Sequence, residues 1–178
     1  MHNNNTITRW IRQTIESSRH DWIVLTLRID GVLKNTSGAT QSPWNPSVLG
    51  SLSKIETALE WALGMLRRRL GKKIHFVAYH GGDYGKGIYP HIHAIAEVPE
   101  GVEPAAVVEF LQKYWQQSVD RKFKSYLKTS IHQEDLISSQ KYLRYISRYE
   151  GETFGSGDSK LVLNRSFIFY TDSTSYFP

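Results

Sequence analysis

The chain has 178 residues, 40% of them apolar, 12% aromatic and 22% charged, which suits one globular domain and leaves no room for a second of comparable size. Its net charge of +5 and pI near 9.4 favour a polyanionic partner. With no cysteine, disulfides, thiolate metal sites and cysteine nucleophiles are excluded, so any metal must be held by His, Asp or Glu.

Residues 3–19 form an expected first helix, with Ile7, Trp10, Ile11 and Ile15 recurring three and four apart. Asp21 to Asp30 is rich in β-branched and aromatic residues and reads as a buried strand. From Gly31 to Gly50 no periodicity is present, and a long loop is expected. A helix follows, capped by Ser51 or Ser53, with Ile55, Leu59, Ala62, Leu63, Leu66 and Leu70 on one face, and Gly71 stops it.

Lys73–His80 and Pro90–Val98 read as strands joined by the glycine-rich segment Gly81–Tyr89. Pro104 opens a helix carrying Val107, Val108, Leu111, Tyr114 and Trp115, and Lys124–Ile131 alternates as another strand. A last helix is expected from about Leu136 to Glu150. Beyond the link Gly151–Asp158, short strand pieces are expected at Leu161–Val162 and Ser166–Thr171. The order strand, helix, strand, strand, helix, strand predicts an α+β fold of the split βαβ, ferredoxin-like kind, its helices on one sheet face and the other face free for a site. The whole chain is expected to be a single domain. No apolar run is long enough to span a bilayer and the N-terminus lacks the apolar core of a secretion signal, so a cytoplasmic protein is expected.

His91 and His93 are two apart on one strand, so both rings project from the same face and can chelate one divalent ion. A solvated polar face is the plain alternative. His80, at the end of the preceding strand, is the candidate third ligand, with Asp83, Glu97 and His75 as substitutes. Glu97 lies four positions beyond His93, about 13 Å away, and His75 is similarly remote from the hairpin end.

On the last helix Tyr142, Tyr145 and Tyr149 form one stripe, Leu143 and Ile146 mark the core side, and Arg144 and Arg148 the basic side. Tyr145, nearest the basic edge, is the best-placed nucleophile. Core packing explains Tyr142 equally well. A tyrosine attacks a phosphodiester once its proton is removed and the phosphate charge is offset, which a divalent cation and a guanidinium provide. Arg28, Lys86 and Arg144, with Arg148, are candidate phosphate contacts, and Tyr84 or Tyr89 can stack on bases.

These residues resemble the HUH endonucleases: rolling-circle replication initiators, conjugative relaxases and single-strand transposases. The His-hydrophobic-His motif is His91-Ile92-His93. The upstream strand ending in Thr is similar to Val24-Leu25-Thr26-Leu27, and the Tyr-x-x-Lys helix to Tyr145-Ile146-Ser147-Arg148. The resemblance spans roughly residues 22–150. It departs from the family at Arg148, which replaces lysine and positions phosphate rather than acting as a base, and at His80, where the upstream ligand is often acidic. Some family members use two tyrosines, and Tyr149 would be the second here.

The resemblance implies Mn²⁺ or Mg²⁺, a 5′-phosphotyrosine intermediate, and nicking of single-stranded DNA or a DNA hairpin at a plasmid or viral replication origin, with host helicase and polymerase as partners. Three imidazoles favour Mn²⁺. The rival readings are an HUH transposase or relaxase, and a non-catalytic ferredoxin-like module that binds single-stranded nucleic acid on its sheet.

Overall fold

The computed structural model describes residues 13, 15–34, 37–43, 51–72, 74–83, 88–124, 127–136 and 167–170. The side chains of 51–52, 79–83, 88–90, 135 and 167–170 fall outside that description. In chain order the elements are β1 (Asp21–Asp30), β2 (Leu33–Lys34), β3 (Thr40–Gln41), α1 (Ser51–Leu70), β4 (Phe76–Asp83), β5 (Ile88–Val98), α2 (Pro104–Phe123), β6 (Lys128–Asp135) and β7 (Phe167–Tyr170).

The main sheet has the order β6-β1-β5-β4-β7, and every neighbouring pair is antiparallel. β1 and β4 therefore run parallel on either side of β5, linked through α1, while α2 links β5 to the outer strand β6. This α+β layout is compatible with the expected ferredoxin-like arrangement. β7 extends the sheet beyond β4, within the region expected to hold the second C-terminal strand piece.

Both helices cover one face. Ile23, Leu25, Leu27 and Ile29 of β1 and Ile92, Ala94, Ala96 and Val98 of β5 form one core with Ile55, Leu59, Leu63 and Leu66 of α1 and Val107, Leu111, Trp115 and Val119 of α2. The alternation in the strands and the three-four spacing in the helices put these residues inward together. Gly71 ends α1 as its spacing foretold, with φ +61 and its N–H donating to the Arg67 carbonyl at 2.9 Å.

Trp115 is fully buried, and its Nε1–H donates to the Arg28 carbonyl at 3.4 Å, tying α2 to β1. Trp115→Ala is expected to cost about 3–5 kcal/mol by opening a large cavity. At roughly 2–4 °C per kcal/mol for a chain of this size, thermal unfolding should show a fall of about 6 °C or more. A smaller loss would mean that the core collapses around the gap.

Several boundaries differ from the expectation. The segment read as a long loop after β1 contains the β2–β3 hairpin, with Leu33 opposite Gln41. β4 begins three residues later than expected and continues through Gly81 to Asp83, because β5 starts at Ile88 and keeps supplying ladder partners. The outer strand is displaced from Lys124–Ile131 to Lys128–Asp135. α2 runs on to Phe123 and closes on Lys124, whose φ of 48 and bond from its N–H to the Asp120 carbonyl end the helix. The expected first helix is helical at Gln13 and Ile15–Ser17. The expected helix at 136–150 lies outside the described residues beyond Leu136, as does Leu161–Val162.

Candidate metal-binding pair on the sheet

The face opposite the helices is not left free, contrary to the sequence expectation. Trp22, Val24, Val77, Ile95 and Glu97 are all buried although none belongs to the helix-side core. At one end the N-terminal segment contributes to this cover: the Ser18 hydroxyl donates to Glu97 Oε1 at 3.1 Å. Toward the other end burial gives way, from His93 (8% exposed) to half-buried Thr26 and His91 and exposed Arg28. The His91–His93 pair lies at this transition.

Strand alternation fixes the pair's geometry. Ile92 is fully buried in the core between the helices and the sheet, so the residues on either side of it face the other way. There the two rings meet edge to face, centroids 4.3 Å apart and planes at 89°, with Nε2 of one 2.7 Å from Nε2 of the other. At this distance one ring donates its Nε2–H to the other's Nε2, and imidazoles held side by side in this way are a candidate pair of metal donors.

Thr26 stands directly opposite His93 on β1, and Tyr79 opposite it on β4. Gly81 stands opposite His91. On the far side of β1, His132 of β6 is in register with Thr26, so three strands align His132, Thr26 and His93 in one row. His132 is exposed and pairs with Glu134 at 3.3 Å, and the sequence analysis did not single it out. Nothing local marks it, since only the β1–β6 register brings it into this row.

The expected third ligand is placed less simply. His80 is in register with Ile92, so strand alternation assigns its position to the helix-covered face rather than to that of His91 and His93. The ladder then shifts register between Gly81 and Asp83, and such an irregularity re-aims the residues beyond it. No group of three potential ligands is assembled among the described residues.

Glu97 and His75, the remaining substitutes, belong to a separate cluster at the opposite end of the same face. Glu97 Oε2 accepts from the His75 N–H at 3.2 Å, and His75 Nε2 and His20 Nε2 lie 3.8 and 3.9 Å from its two oxygens. Trp22 stacks over the His75 ring at 6.5 Å. With Ser18 bonded to the same carboxylate, Glu97 joins the N-terminal segment to the sheet. Glu97→Ala strands the His75 N–H and is expected to cost about 1–3 kcal/mol in chemical denaturation. Glu97→Gln, which still accepts, should recover most of that loss. Equal losses in both variants would point to charge rather than hydrogen bonding.

Of the expected DNA contacts, Arg28 is exposed on β1 on the histidine side of the sheet. Lys86, Arg144, Tyr145, Arg148 and Tyr149 lie outside the described residues. Among the described residues no helix is long and apolar enough to cross a membrane. Comparison with protein-family models, curated proteins and solved structures finds no match to this chain.

Proposed function

We propose that the chain is an HUH-type endonuclease of the replication-initiator kind, which nicks and rejoins single-stranded DNA through a tyrosine. The observation that carries this reading is the convergence of His91 and His93 Nε2 at the edge of a buried sheet face, with Thr26 directly across the ladder. The motif residues from two separated sequence segments thereby meet in one place. His93 is 8% exposed, which is unlike a histidine on a solvated strand face and supports this reading.

On this reading His91 and His93 hold Mn²⁺ or Mg²⁺, which when bound offsets charge on the scissile phosphate. Nitrogen donors favour Mn²⁺. The third donor comes from a side chain beyond the described ones: Asp83, past the register shift, is the first candidate, and His80, whose position the ladder assigns to the other face, the second. The Tyr145 hydroxyl, once deprotonated, attacks phosphorus in line. The P–O3′ bond breaks, leaving a 5′-phosphotyrosine and a 3′ oxygen that takes up a proton. Arg148 pairs with the phosphate oxygens and Tyr149 is the candidate second nucleophile.

The test is incubation of labelled single-stranded oligonucleotides from the protein's own replicon with the protein and Mn²⁺, followed by a denaturing gel. A chelator-sensitive covalent adduct is expected. The third donor is read separately by titrating Mn²⁺ calorimetrically: the replacement, His80→Ala or Asp83→Ala, that weakens affinity at least about 10-fold identifies it. Unchanged affinity in both would remove these two from the site.

A further inference from the structure

Six cations gather at the end of the molecule that carries the histidine pair. Arg28 leaves β1 one residue beyond Leu27, the partner of Ile92, and faces Ser130 on β6. Lys128 opens β6, and Arg121, Lys122 and Lys124 close α2 immediately before it. Lys54 on the first turns of α1 comes to the same end, because α1 and α2 pack antiparallel: Lys54 lies over the Phe123 ring and Arg69 over the Phe110 ring.

All six are exposed, and among the described residues none is ion-paired to a carboxylate. Asp30, Asp120 and Glu56 are the acidic neighbours. The Asp120 carboxylate accepts from the Gln116 side-chain N–H at 2.9 Å and keeps its charge, and Asp30, although in register with Lys128, makes no ion pair with it, so six cations against three carboxylates leave this end with an excess of positive charge. The cations are mounted on fixed backbone. Gln112 donates to Thr129, and Gln116 both donates to the Leu127 carbonyl and accepts from the Thr129 N–H at 2.8 Å, which clamps the end of α2 to the start of β6. Arg121 is further held 5.1 Å over the Trp61 ring.

We infer that this basic rim, from Arg28 across Lys128 to the C-terminal end of α2, is the track for the single-stranded DNA flanking the histidine pair. The inference rests on the endonuclease reading for the identity of the strand. Only two strand spacings, roughly 10 Å, separate β5 from β6, so a strand whose phosphate lies at the pair reaches the rim within a few nucleotides. An excess of exposed cations on helix and strand ends binds a backbone without regard to sequence.

The experiment measures fluorescence anisotropy of long and short labelled oligonucleotides with the full-length protein, in chelator, over a range of salt. The triple variant Lys122→Gln/Lys124→Gln/Lys128→Gln is compared with a charge-matched control, Arg68→Gln/Lys72→Gln/Lys113→Gln, whose positions lie away from the rim. At about 0.7 per phosphate contact for a single strand, the rim variant is expected to lower the salt slope by about 2 for the long oligonucleotide. The short one, and the control variant, should change little. Equal losses in both triple variants, or an unchanged slope in the rim variant, overturn the track. Because binding is read without metal, absence of a covalent adduct in the nicking assay would instead count against the endonuclease reading.

Discussion

Tyr145→Phe is expected to abolish the covalent protein–DNA adduct, with nicking falling by on the order of 10⁴-fold or more, while affinity for the uncleaved oligonucleotide stays within about twofold. The phenyl ring keeps its stacking surface and loses only the oxygen that forms the phosphodiester. The denaturing gel reads the first quantity and anisotropy the second. If the adduct persists, the nucleophile moves to Tyr149 or Tyr142, the other tyrosines of the expected last helix. If neither the natural chain nor the variant forms an adduct, yet both bind equally with chelator present, the non-catalytic sheet-binding module is the better description.

The second large effect is expected at the histidine pair. His91→Ala and His93→Ala should each reduce Mn²⁺-dependent nicking by at least about 100-fold, because one imidazole cannot keep a divalent ion in place on its own. The two should differ in stability. Removing half-buried His91 takes away the 2.7 Å partner of the buried His93 nitrogen and is expected to cost about 1–3 kcal/mol, whereas His93 is 8% exposed and its loss in addition opens space beneath the surface. Calorimetric titration of Mn²⁺ into the folded variants separates the two roles. Undiminished Mn²⁺ affinity in His91→Ala would rule out a metal role for the pair, whatever its activity.

Much of the architecture is legible in the chain because its elements are locally consistent. Leu25, Leu27 and Ile29 alternate with Thr26 and Arg28, and Ile55, Leu59, Leu63 and Leu66 repeat at helical spacing. Each pattern permits one period and therefore one element type. The shared face of His91 and His93 follows from the same alternation. The boundaries were less legible: Lys124 shows no stop signal, yet it takes the left-handed conformation that ends α2 and sets β6 four residues later than its sequence pattern suggests.

By itself, then, the sequence determined the order of β1, α1, β4, β5, α2 and β6, the core face of the two helices, and the placing of two histidines on one strand face, since all of these depend on periodicity within a few residues. Tertiary structure decided everything that depends on register between strands distant in sequence. It set Thr26 opposite His93, brought His132 into their row and placed His80 opposite Ile92 rather than beside the pair. It also buried Val24, Val77, Ile95 and Glu97 on the face that alternation alone would leave open. The physical reason is that the ladder's hydrogen bonds are made between backbones and are nearly indifferent to side-chain identity. Alternation within each strand excludes a slip by one residue, but which of the remaining registers is taken is chosen by the packing of the whole sheet against α1 and α2.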